Sequence, residues 1–141
     1  MAGVFRAIFC AVSIGLFAVP VGAGETDVAE ITANGGCPGC DLNLAEMRGL
    51  SLPGANFEEA DLRSANLKGA SLAGANFVRA DLQRVEMERA QLSGSDFSDA
   101  RMRGADLEKS DVTMARFRGA DLAIDRTAWL GDVKRVYPIG A

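Results

Sequence analysis

The chain has 141 residues, 48% of them apolar, with 16 Gly, one Trp, one Tyr and a formal net charge of −4. That suits one domain with a thin, repetitive core better than a thick globular one. The mild acidity argues against nonspecific nucleic-acid binding, which needs clustered Lys and Arg. The lack of any His removes the commonest general base and metal ligand, and no cofactor, metal or catalytic set is expected.

The N-terminus carries its amine and Arg6, then an apolar run from Ala7 to Val19, then Pro20 and Val21-Gly22-Ala23 ahead of polar Gly24-Glu25-Thr26-Asp27. A basic start, a short apolar stretch and a small-x-small exit make a secretory signal peptide, and the run is short for a membrane span. Residues 1–23 are therefore read as a signal peptide cleaved after Ala23, which removes Cys10 and leaves Cys37 and Cys40. The expected location is the periplasm or the outside of the cell, with no membrane attachment after cleavage.

Residues 24–39 are read as an N-terminal cap or linker containing Cys37-Pro38-Gly39-Cys40. In an oxidising compartment this pair favours a disulfide that staples the N-terminal end. Thiol–disulfide exchange is a second reading, although no βαβ pattern surrounds the motif as in thioredoxin-like proteins. Metal binding is a third, and it needs two chains to complete a tetrahedral site.

From Cys40 to Ile124 the chain reads as seventeen five-residue units without insertion: CDLNL, AEMRG, LSLPG, ANFEE, and so on to ADLAI. The third position is always apolar and the first nearly always small, so both point inward; the others are mostly polar or Gly. A period of five fits neither helix nor extended strand, so the chain turns regularly, with Gly or Pro53-Gly54 at the corners. Phe57, Phe77, Phe97 and Phe117 are spaced by twenty, which implies four units per coil and a Phe stack on one inner face. At about 4.8 Å per coil, the solenoid is roughly 20 Å long.

Stacking places outward residues in columns. Glu59, Arg79 and Asp99 form one; Asp81, Arg101 and Asp121 another; Asp96 lies beneath Arg116 and Lys68 beneath Glu88. Arg79, Arg84 and Arg89 go around one coil, as an anion site or a solvated band. One face is neutral: Ser51, Pro53, Gly54, Ser71, Ala73, Gly74, Gln91, Ser93 and Gly94. Small uncharged side chains allow close approach, making this the candidate interaction face for self-association or an unknown protein partner. After Ile124, Trp129, Leu130, Val133, Val136 and Tyr137 give residues 125–141 an apolar face suited to a C-terminal cap.

These units resemble the pentapeptide repeat family, with its A(D/N)Lxx consensus. The resemblance implies an all-β, right-handed quadrilateral β-helix, here of about four coils with short caps at both ends. It also implies a protein that is not an enzyme. Some members resemble DNA and bind DNA gyrase, but that role needs a cytoplasmic, strongly acidic surface. The 14 acids and 11 bases of these repeats are interspersed. The leading expectation is an exported, non-catalytic structural or protein-interaction module; the alternatives are a periplasmic thiol redox protein using Cys37 and Cys40, and a gyrase-binding DNA mimic.

Overall fold

The computed structural model describes residues 25–122; residues 1–23, read as a signal peptide, and the apolar C-terminal residues with Trp129 and Tyr137, read as a cap, lie outside the described residues. The segment read as an N-terminal cap divides in two. Helix α1 spans Glu25–Asn34. It ends where Gly35 enters the left-handed region at φ 68° and the Gly36 N–H donates to the Ile31 carbonyl at 3.0 Å, closing the last turn in a Schellman arrangement. Ile31 is fully buried in the solenoid's apolar cluster and Val28 packs against it, so α1 seals the first coil.

Residues 35–39 then form a repeat unit that the sequence pattern does not reveal. The Cys37 N–H donates to the Asn56 carbonyl and the Gly39 N–H to the Glu58 carbonyl, both at 2.8 Å, the same bonds that third and fifth positions make to the coil above from Leu42 to Asp99. Gly36 pairs in parallel with Asn56. A Cβ at Gly36 would overlap the Asn56 backbone, so glycine alone fits there.

Beyond this point the chain winds as a four-sided coil. Fourteen parallel bridges join residues twenty apart, from Gly36–Asn56 to Arg101–Asp121. Each corner is a turn from the third position of one unit to the first of the next, for example Ala45 N–H to the Leu42 carbonyl at 3.0 Å. In the units from Cys40 to Gly119 the fifth residue has positive φ, with Gly54 at 72° and Arg79 at 58°. Positive φ at the third turn residue alone is the type II signature.

The backbone donors account for the consensus. In the units from Ala55 to Asp99 the first-position N–H closes a corner, the second-position N–H reaches the coil below, and the third- and fifth-position N–H groups reach the coil above at 2.7–3.0 Å. Only the fourth-position N–H is left over. Asp or Asn at the second position accepts it two residues on. All nine second-position Asp and Asn residues from Asp41 to Asp111 do so, at 2.9–3.3 Å.

First and third positions fill the interior as expected. Phe57, Phe77, Phe97 and Phe117 stack face to face, with centroids 5.3, 4.9 and 5.0 Å apart. The departures at the first position fit too. Val85 is buried, and Ser95 Oγ donates to the Leu72 carbonyl at 2.8 Å while Ser110 Oγ donates to the Met87 carbonyl, so neither hydroxyl is left unpaired.

Two outcomes are expected in urea unfolding. Phe77→Ala, which opens a gap between two rings, lowers stability by about 3–5 kcal/mol. Asp106→Ala lowers it by about 1 kcal/mol, whereas Asp106→Asn, which keeps an acceptor for the Glu108 N–H, loses less than half of that.

Candidate functional site

The neutral face forms as read. Ser51, Ser71 and Gln91 are bridged in one column, and Ser71 Oγ donates to Gln91 Oε1 at 3.3 Å. Pro53 and Gly54 are exposed, with Ala73, Gly74, Ser93 and Gly94 exposed or half-buried beside them. The face continues one coil further than the sequence reading took it. Asp111 pairs with Gln91, and Met114, 76% exposed, stands at the end of the Gly54–Gly74–Gly94 column. Asp111 accepts hydrogen bonds from the Thr113 hydroxyl and N–H, which hold its carboxyl below the usual range. A neutral wall thus runs into a charged, apolar-tipped edge.

The charged columns pair along the solenoid, with two differences from the sequence reading. Lys68 sits between Glu86 and Glu88 at 3.1 and 3.2 Å, Arg101 reaches Asp81 at 3.9 Å and Arg116 reaches Asp96 at 3.8 Å. Asp121, however, is taken by Arg103 at 2.7 Å. Arg79 turns to Glu58 and Glu59 at 2.6 and 2.9 Å, and the Asp99 carboxylate lies over Gly119, where a Cβ would strike it. Asp99 thus turns along its own column into the space left by Gly119, away from Arg79. Arg79, Arg84 and Arg89 occupy three successive corners of one coil, so they point in different directions and do not converge on one anion.

Cys37 and Cys40 have their sulfurs at bonding distance and Cα atoms 5.6 Å apart, within the range a disulfide spans. Cys37 occupies the third slot of the added unit and Cys40 the first slot of the next, so both pack against the apolar cluster, half-buried. Cys37 stands in line below Phe57, a position hidden in the sequence because its unit lacks the consensus.

The structure also gathers Glu88, Asp106 and Glu108, whose carboxylates come within 4.8 Å of one another. Lys68 pairs with Glu88 at 3.2 Å and Lys109 with Glu108 at 2.9 Å, so cations flank the group. The adjoining hollow, lined by Glu88, Arg89, Glu108 and Lys109, holds about 70 Å³, far below the roughly 300–1,000 Å³ of small-molecule pockets.

A profile of pentapeptide repeats, in eight copies, matches residues 40–77, 60–99 and 86–123. The chain belongs to the pentapeptide repeat family. It is similar to a pentapeptide repeat protein from the thylakoid lumen of Arabidopsis thaliana, at 33% identity over 69% of this chain and 72% of that one, with a TM-score of 0.43. A pentapeptide repeat protein of Nostoc Pcc 7120 shares 27% identity over 74% of this chain and 83% of its own, with a TM-score of 0.44. HetL, a pentapeptide repeat protein involved in heterocyst differentiation regulation in Nostoc sp. strain PCC 7120, shares 31% over 62% of this chain and 46% of its own, with a TM-score of 0.38. Among curated proteins no sequence matches.

This pentapeptide-repeat protein has the family's right-handed quadrilateral β-helix, so each side is a stack of single bridged residues and each corner a two-residue turn. Its surface chemistry is read by column. Asp61, for example, is held below the usual carboxylate range chiefly by its hydrogen bonds from Arg63, at 2.8 and 2.5 Å. A depressed folded pKa contributes stability above the unfolded value and loses it as pH falls through the folded one. Acidification from about pH 5 to about pH 3 is therefore expected to lower the thermal midpoint. Asp61→Asn should make that decline shallower.

Proposed function

We propose that this pentapeptide-repeat protein is an exported, non-catalytic interaction module. It would act outside the cytoplasm as a rigid post that presents flat faces to a protein partner. The observation that carries this reading is the neutral face, a column of Ser51, Ser71 and Gln91 flanked by small residues on a solenoid otherwise covered with charge. Contact there needs no desolvation of ions, and small side chains let a partner's backbone approach. Three coils at about 4.8 Å each offer a narrow strip, which suits the weak, transient class of interface. The signal-like segment ending at Ala23 supports export. The half-buried Cys37–Cys40 pair then serves as a staple beside α1; burial among apolar side chains disfavours the thiolate that exchange chemistry requires.

The test has two parts, both on protein recovered without reductant from cells expressing the whole chain. Intact mass is expected to show loss of residues 1–23 and a mass two hydrogens below the reduced form. A full-length, reduced chain would overturn export and favour the gyrase-binding alternative. A photo-crosslinking side chain at position 73 is expected to capture a partner in the exported fraction, and Ser71→Arg to abolish the capture. Capture indifferent to Ser71→Arg would remove the neutral face from the reading.

A further inference from the structure

The face over the Phe stack carries charge in a self-complementary order. Glu58 and Glu59 lie on its first full coil, Arg79 on the second, Asp96 and Asp99 on the third, and Arg116 and Arg118 on the fourth. We propose that a second copy of this chain docks on this face antiparallel, related by a twofold axis across the solenoid.

Such an axis keeps each position of the five-residue unit opposite the same position and reverses the order of the coils. The first coil then meets the fourth and the second meets the third. Glu58 falls opposite Arg118 of the other copy, Arg79 opposite Asp99, Asn76 opposite Asp96 and Val78 opposite Ser98. Each contact occurs twice, as an isologous interface requires. No two like charges meet. The same operation on the next face sets Asp61 against Asp81, and on the one after sets Glu46 against Asp106, like-charge contacts that oppose pairing.

Local pairing leaves this face ready for a partner. Arg118 has no carboxylate partner among the described residues. Arg116 is held to Asp96 only at 3.8 Å, with its side chain 75% exposed. Asp99 lies over Gly119 and is not bonded to Arg79. Arg79 holds Glu58 Oε1 at 2.6 Å and Glu59 at 2.9 Å, which leaves it donors to spare and leaves Glu58 its second oxygen for Arg118 of the other copy. The strip is four coils tall, about 19 Å, so it belongs with small interfaces held by charge and weakened by salt.

Sedimentation velocity on protein recovered from cells expressing the whole chain tests this. The expected result is a monomer–dimer equilibrium whose dissociation constant rises roughly tenfold or more between about 20 mM and about 500 mM NaCl. Arg118→Glu alone and Glu58→Arg alone should each leave only monomer, with circular dichroism confirming the fold. Mixing the two variants should restore dimer, because each copy then offers the charge the other lacks. The double variant E58R/R118E should also dimerise alone. A wild-type chain that stays monomeric at about 1 mM in low salt overturns the proposal, as does a dimer insensitive to the single reversals, or reversals that neither mixing nor the double variant rescues.

Discussion

Everything in this solenoid depends on the coil above supplying what the coil below lacks. A five-residue side that turns a corner cannot satisfy its own backbone: most of its amides and carbonyls face along the axis, where only another coil can reach them. Stacking is therefore a condition of folding, and a single coil would leave polar backbone unpaired. The one amide that stacking does not reach is handled locally by the side chain two residues before it. The alternation of small and apolar inward residues follows, because coils this close together leave room for one large side chain and one small one per side.

The interior was legible because its repeat is chemical. Leu, Phe, Met or Val at the third position of every unit from Cys40 onward and Ala at most first positions record directly which way each residue points. The twenty-residue spacing of Phe57, Phe77, Phe97 and Phe117 gave the number of sides. What sequence could not display were features carried by backbone alone. Gly35-Gly36-Cys37-Pro38-Gly39 has no consensus residue at its first or second position, yet it makes the full set of coil bonds. Helix α1 escaped notice because its ten residues show only a few apolar positions, Val28 and Ile31 among them.

The surface was legible in outline and altered in detail. Columns of opposite charge follow from the twenty-residue period, but the partner a long side chain chooses depends on space beside it. Arg103 takes the carboxylate expected for Arg101, and Asp99 bends over a glycine. Glu88, Asp106 and Glu108 lie in two units stacked on one side, twenty residues apart, so their clustering follows from the same period once the side chains are placed. The neutral face was readable from composition because neutrality needs no partner.

The corners carry a further consequence. Among the described residues nine corners hold residues other than glycine in the left-handed region, including Glu59, Arg79, Arg84, Arg89, Asp99 and Lys109. Each such residue costs on the order of 1 kcal/mol that glycine would spare. The fold alone would favour glycine at all of these edges. Keeping long charged groups there means that this chain trades stability for reach: its edges, the parts that extend farthest from the axis, are where selection for contact with other molecules would leave its mark.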